Sequence, residues 1–534
     1  MTPKHIEKWD FYEYSLSYQG TANPFIDVIL EARFTHQDRQ VKVNGFYDGG
    51  GIFKLRFMPD REGEWQVITS SNVATLDGKL GSFICTPASV GNHGPVRVAE
   101  STHFAYEDGT PYIPVGTTCY VWNLQGDELE EQTLQTLDKA PFNKLRMSVF
   151  PKRYLFNDNE PPSYPFIGAV TKPWSPALMN NHHNIEPSRD WDFSRFNPEY
   201  FQHLEKRLLD LRAQDIEADL IIFHPYDSGA WGFDRMTLDV NDRYLRYLVA
   251  RLSAFRNLWW SFANEYDLMI GRTMEDWDHY FQLVQSLDPY NHLRSIHNCG
   301  AFYDHTKPWV THCSIQHQSL SRVPVWLKKY NKPVVIDECG YEGNLSMVWG
   351  DLSPEEMVLR FWLGFAQGGY VSHGETYIDP EEVLWWSKGG QLHGNSVPRI
   401  AFLRSIIEQA PALTPFEKLE MESLDLMDSE IKALLFGTHA GGEKILAEGG
   451  WNQEAGGYNL DCGYYLFYFG IHQPALRNFN LPDGSYRIDL IDTWNMTIEA
   501  VAENASGQTS VELPTRKYMA IRIQKNPGTN GKRT

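Results

Sequence analysis

Along the first 95 residues, apolar and polar positions alternate with a period of two. VILEARF sets Val28, Leu30, Ala32 and Phe34 on one face, and IFKLRF does the same with Phe53, Leu55 and Phe57. That is the pattern of half-buried strands. The glycine-rich FYDGGG (46–51) and PDREGEW (59–65) read as the turns between them, so residues 1–95 are predicted to form a small Ig-like β-sandwich. NHGPVRV (92–98) is the expected linker.

From residue 96 to 410 the rhythm changes to short apolar runs separated by helical patterns. The runs span 112–122, 142–150, 219–227, 258–267, 293–300, 310–319, 333–340 and 369–377. Eight such units predict an α/β fold, a (β/α)8 TIM barrel built on parallel strands. Asn197 and Pro198 open a helix with Phe201, Leu204, Leu208 and Leu211 in one stripe, and Ser353, Pro354 and Glu356 read as a capping box for another that stops at Gly368. The connection from 301 to 309 is too short and aromatic for a helix. The insertion 151–193 has no period but many aromatic residues, and loops at that end of a barrel build the pocket. Beyond residue 410, KALLFG, EKILAEG, YYLFYFG, YRIDLI and KYMAIRI read as strands of a C-terminal β-sandwich spanning 411–534.

Composition narrows the function classes. With 42% hydrophobic residues the chain can bury large cores, and 534 residues at about 150 per domain leave room for three units. A formal charge of −20 repels nucleic acid and anionic membrane surfaces. No long apolar run and no secretory leader pattern is present, which makes the expected location cytoplasmic. Six cysteines without CxxC spacing are expected to be reduced thiols. No phosphate-binding glycine motif occurs, so no nucleotide cofactor is implied.

In such a barrel the chemistry sits where the strands end, and most runs end in polar residues. These are Trp122 on the first run, Arg146 and Lys152 on the second, His224 and Tyr226 on the third, and Asn264 and Glu265 on the fourth. His297 and Asn298 close the fifth, Gln316 and His317 the sixth, and Asp337 and Glu338 the seventh. His373, Glu375 and Tyr377 close the eighth, with Trp385 and Trp386 following. Two carboxylates facing one pocket can cleave a glycosidic bond, one giving a proton to the leaving oxygen while the other attacks or activates water.

LWWSFANEYD resembles the fourth strand of the clan A retaining glycoside hydrolases, and KPVVIDECGYEG resembles their seventh. The resemblance implies Glu265 as acid/base, Glu338 as nucleophile, Asn264 as binder of a sugar hydroxyl and Arg146 as the arginine beside the nucleophile. NPFIDV, GFYDGGG, FMPDREGEW and GNHGPVRV are similar to the Ig-like domain preceding a group of endoglucanase-like and apiosidase-like barrels. Two departures stand out. The aromatic residue that usually touches the nucleophile from the sixth strand is replaced by His317, which is expected to take that role. The usual tryptophan of the eighth strand gives way to His373, Glu375 and Tyr377.

The reading is a retaining, exo-acting glycoside hydrolase whose partner is a carbohydrate substrate. His224, Tyr226, His297, His317, His373, Glu375, Tyr377, Trp122 and Trp385 are expected to line its sugar site with Asn264 and Arg146. Glu375 and Glu342 stand as alternative second carboxylates. Rival readings are a metal-dependent barrel hydrolase using His297 and His317 and a non-catalytic carbohydrate-binding protein; the first lacks a His-x-His on the first run, and the second does not need a positioned carboxylate pair. No metal and no cofactor is expected. The flanking sandwiches are open to bracing the barrel, binding carbohydrate or forming a homo-oligomer interface.

Overall fold

A computed structural model of the chain describes residues 4–154, 156–157, 159–170, 189–227, 230–378, 382–416, 455–471 and 475–527. At its centre, eight parallel strands curl into a nearly closed barrel. They are β1 (Gly116–Thr118), β2 (Lys144–Ser148), β3 (Glu217–Phe223), β4 (Leu258–Ala263), β5 (Arg294–Ser295), β6 (Cys313–Gln316), β7 (Val334–Glu338) and β8 (Tyr370–His373). The order is β5-β4-β3-β2-β1-β8-β7-β6, and a bridge between His297 and Ser314 marks the seam where β5 meets β6. Each of the eight apolar runs carries one strand. Every residue of β2, β3, β4, β7 and β8 is buried, because one face looks into the barrel and the other onto helices.

The helices are α1 (Asp127–Leu137), α2 (Pro198–Ala213), α3 (Leu238–Leu252), α4 (Met274–Leu287), α5 (Val323–Tyr330), α6 (Pro354–Ala366), α7 (Trp385–Lys388) and α8 (Ser396–Ile407). At α2 the Asn197 side chain accepts from the Glu199 N–H at 3.2 Å, and Phe201, Leu204, Leu208 and Leu211 are buried. At α6 only half of the predicted capping box forms. Ser353 Oγ accepts from the Glu356 N–H at 3.2 Å, but the Glu356 carboxylate pairs with Arg360 one turn on. Gly368 takes φ +77° beyond the end of α6, a conformation that glycine adopts at little cost. Between β5 and β6 there is no helix, as the short aromatic connection led one to expect.

At the N-terminus, a five-stranded sheet (Lys4–Glu7, Leu80–Thr86, Gly63–Ser71, Leu30–His36, Arg39–Asn44) and a three-stranded one (Tyr12–Ser17, Ile52–Phe57, Phe46–Tyr47) share a core containing Phe34, Leu55, Phe57, Trp65 and Phe83. Two local expectations are corrected. Val28 precedes the strand that begins at Leu30 and is half-buried, and Phe46–Tyr47 is itself a short strand, the reversal falling on Asp48 and three positive-φ glycines. At the C-terminus, Tyr464–Gly470, Tyr486–Asp492 and Met519–Lys525 lie in one six-stranded sheet. Its Tyr468 ring stacks on Trp362 of α6, with centroids 5.4 Å apart. KALLFG, EKILAEG and the central part of the 151–193 insertion lie outside the described residues. All six cysteines are free. Among the described residues no helix is long and apolar enough to cross a membrane.

The N-terminal sheets are locked to the barrel by charge as well as apolar contact. Arg56 reaches the Glu205 carboxylate of α2 with both terminal nitrogens, at 2.7 and 2.9 Å, and donates to the Arg251 carbonyl of α3 at 2.8 Å. Arg251 in turn pairs with Glu205 and with Asp48, each at 2.7 Å. Removing one partner strands a buried charge. Arg56→Ala should therefore lower stability by about 3 kcal/mol, read as a fall in the denaturant midpoint of unfolding.

Candidate active site

The barrel interior beneath the strand ends is filled by charge. Lys144 Nζ contacts Asp219 and Asp337, each at 2.7 Å, and Arg146 contacts Asp219 at 3.2 Å, with no side chain of the four exposed. Ser261 accepts from Arg146 at 3.1 Å, while Ser314 and Ser372 donate to Asp337 at 2.5 and 3.0 Å. Arg146 also donates to Asn264 Oδ1 at 2.9 Å. That bond orients the amide, with Oδ1 toward Arg146 and the NH2 end turned away from it.

Above this layer, a cavity of about 960 Å³ opens at the C-terminal ends of the strands. Glu265 and Glu338 both line it. Glu265 follows β4 in the left-handed region, φ +46°, a strain of the kind that persists at functional sites. It is anchored by the flanking backbone, Asn264 N–H to the Phe223 carbonyl and Tyr266 N–H to the His297 carbonyl, both at 3.0 Å. Glu338 ends β7. The Tyr120 hydroxyl donates to its carboxylate, and His297 Nε2 stands 3.5 Å away. His297 Nδ1 is 3.0 Å from Ser314 Oγ; because that hydroxyl gives its proton to Asp337, Nδ1 is the donor to it.

The two carboxyls are driven apart electrostatically. Burial opposes ionisation of Glu338, but His297, the Tyr120 hydroxyl and the Arg146 charge outweigh it and hold the group at about 2. Burial, and then the Glu338 charge, push Glu265 up to about 7, against the opposing pull of Lys152. Below about pH 7 the pocket therefore favours one carboxylate, Glu338, beside one carboxylic acid, Glu265.

The other sequence-predicted residues separate into three groups. Tyr226 and His317 lie on the cavity wall. His297, Asn264 and Arg146 lie behind it, and His297 and Arg146 act on Glu338 from there. The rest stand away from it. His224 is buried with Nε2 3.2 Å from the Phe150 carbonyl and Nδ1 accepting from the Tyr226 N–H. His373 faces Thr117 at 3.1 Å and stacks on Phe142. Trp122 is buried in the core, and Trp385 donates to Thr117 at 2.9 Å. It is the next residue, Trp386, that faces the cavity. His317 does not touch the nucleophile position with its ring; Nδ1 accepts from the Ser319 N–H, and only its backbone N–H reaches the Glu338 carbonyl. Tyr120, from the first strand's loop, takes that place. Tyr120, Tyr154, Tyr341 and Trp349 on the wall were not singled out by the sequence, although the strand-end rule that selected Trp122 applies equally to Tyr120 two residues earlier.

Glu375, Glu342 and Tyr377 form a separate anchor. Glu375 accepts from the N–H groups of His393 and Gly394 at 2.6 and 2.8 Å. Glu342 accepts from Asn395 and Ser396 N–H at 2.8 and 3.2 Å and from the Tyr377 hydroxyl at 3.2 Å. These carboxylates hold the approach to α8 and do not face the cavity. Among the described residues the metal-capable triads are Glu342–His373–Glu375 and Asp127–Glu130–His203. Neither includes His297 or His317, and the carboxylates of the first are already engaged by backbone donors, as Glu130 of the second is by Arg207 at 2.6 Å. Close packing makes the anchor testable. A Cβ at Gly394 would lie 2.5 Å from Glu342 Oε2, so Gly394→Ala should cost about 1–3 kcal/mol of stability, measured by thermal unfolding.

Comparison with known proteins bears on the fold and the reaction class. A family profile described as "Apiosidase-like, catalytic domain" matches residues 99–401. Two domains of unknown function match the flanks, DUF5060 over residues 5–72 and DUF5605 over residues 451–524. A crystal structure of a candidate glycoside hydrolase from Bacteroides vulgatus ATCC 8482 superposes with a TM-score of 0.85 at 37% identity, covering 98% of this chain and 100% of that one. A glycoside hydrolase family 5 structure from the same organism shares the fold at 14% identity and a TM-score of 0.59, covering 81% of this chain and 93% of that one. No protein of curated function matches the sequence.

Proposed function

The chain belongs to the apiosidase-like family and is a glycoside hydrolase, and on that footing we propose that it works by retaining double displacement, releasing a terminal sugar. Glu338 attacks the anomeric carbon while Glu265 protonates the departing oxygen, giving a glycosyl ester on Glu338. Glu265, now a carboxylate, takes a proton from water, which attacks the same carbon and frees Glu338. The observation that carries this reading is the pair of carboxyls, Glu265 and Glu338, lining one cavity at the ends of β4 and β7, with their surroundings favouring the charged form of Glu338 and the neutral form of Glu265.

Each neighbouring group has a task in this scheme. Tyr120 and Arg146 keep Glu338 ionised, so the attacking group needs no deprotonation. Asn264, its oxygen tethered by Arg146, offers its NH2 to a sugar hydroxyl near the nucleophile. Trp386, Trp349 and Tyr154 give flat apolar faces for the sugar's C–H surfaces. A cavity of about 960 Å³ suits a short glycoside, which supports exo action. A division of the chain near residues 95 and 410 belongs to the same proposal, supported by three separate family matches, with the flanking units bracing the barrel.

The test is hydrolysis of a panel of aryl α- and β-glycosides, including pentosides and apiosides. Glu338→Ala should abolish turnover, and added azide should restore it as a glycosyl azide of inverted configuration. Recovery of activity without azide, or an inverted hydrolysis product from the wild type, would overturn the retaining scheme. Glu265→Ala should lose about 10²–10⁴-fold, most on substrates with poor leaving groups. The pH dependence follows from the raised value of Glu265. Its working form is the acid, populated below about 7, so kcat/KM should fall above about pH 7. Tyr120→Phe deletes a donor to the ionised Glu338, raising that group's value; the acid limb of the profile should move to higher pH and kcat/KM drop by about 10-fold or more.

A further inference from the structure

Lys152 is the residue that the scheme above leaves without a task. It lies just past β2, is 2% exposed, and lines the cavity beside the two carboxyls. Its ammonium sits in a cage of rings, 3.6 Å from the centre of Tyr120, 4.3 Å from Tyr226, 4.4 Å from Trp386 and 5.5 Å from Tyr154. Among the described residues none forms an ion pair with it or accepts a hydrogen bond from it. The other cations near the site have partners. Arg146 is held by Asp219 and Asn264, and Arg235 lies 3.7 Å from Asp234.

An unpaired buried ammonium is costly. Ring faces recover part of the lost hydration, but they are poor substitutes for oxygen acceptors of its three N–H bonds. The charges of Glu338 and then Glu265 favour the ammonium, but among the described residues neither carboxylate pairs with it directly. Burial outweighs both and drags Lys152 down to about 7. A ligand anion would give the ammonium the acceptor that the rings do not.

Position identifies which part of the ligand carries it. The nearest ring to the ammonium belongs to Tyr120, whose hydroxyl donates to Glu338. In the double-displacement reading this puts Lys152 beside the sugar over the nucleophile. We infer that Lys152 receives the carboxylate of a uronic acid, so that the glycosides cleaved here are uronides. This rests on the catalytic reading of Glu338 only in locating the sugar. The overall charge of −20 does not forbid such a ligand, because at physiological salt the field of distant charges is screened beyond about 8 Å, whereas Lys152 acts by contact.

The experiment has a binding arm and a turnover arm, both on the full chain. Calorimetric titration with galacturonate and glucuronate, against galactose and glucose, should show the wild type preferring a uronate; the matched 4-nitrophenyl uronides should be cleaved in preference to the neutral glycosides. K152M should reduce the uronate-to-neutral ratio by about 100-fold, the scale expected for losing a buried charge-assisted contact. Preference of the wild type for neutral sugars overturns the inference without any variant. So does a K152M that weakens both classes equally, which would make Lys152 a counter-charge for Glu338. Lys152-dependent uronate binding without hydrolysis of any glycoside would leave the uronate contact standing and remove the double-displacement scheme. Glu338-dependent cleavage of neutral glycosides alone would do the reverse.

Discussion

The barrel is organised around a buried, charge-balanced cluster of Lys144, Arg146, Asp219 and Asp337. Two cations and two anions enclosed without solvent are tolerable only if each finds its partners, because the desolvation of an unmatched charge exceeds what one contact returns. Satisfying them ties β2, β3 and β7 directly, and the hydroxyls of Ser261, Ser314 and Ser372 extend the network to β4, β6 and β8. The relative register of six of the eight strands is thereby coupled to one polar layer. An apolar filling would pack as well, but it would place no Arg146 charge beneath Glu338.

The cluster reaches the cavity along two routes. Arg146 donates to the amide of Asn264 and its charge acts on Glu338, while Asp337 orients Ser314 and through it His297, which faces the same carboxylate. Glu265 sits outside these contacts, on a strained turn where burial dominates. Similar residue types thus acquire opposite character from what lies beneath them. The same logic separates Glu342 and Glu375 from the site. Their carboxylates meet consecutive backbone N–H groups ahead of α8, and this fixes a loop.

The abundance of aromatic residues serves two purposes that composition cannot distinguish. Trp122, Trp259, Trp260 and Trp385 are closed into the core, whereas Tyr120, Tyr154, Tyr226 and Trp386 surround one ammonium on the cavity wall. Rings are well suited to that task, since they hold a cation in place without neutralising it.

Much was legible in one dimension because it depends on local order. Strand runs, helix caps such as Asn197 and the placement of Glu265 and Glu338 at strand ends follow from periodicity and from the topology of a barrel, which sends every strand's end to one rim. The half-formed capping box at α6 escaped because Arg360, one turn away, competed for Glu356. The membership of the site escaped more widely. His224, His373, Trp122, Trp385 and Glu375 end apolar runs just as Glu265 does, yet they turn to backbone groups or to the core, while Tyr120, Trp386 and Lys152 face the cavity. Sequence determined which strand ends carry polar or aromatic groups; only the tertiary structure decided which way each one points, because strand twist and the tilt of the barrel set that direction residue by residue and the partners that settle it come from distant segments.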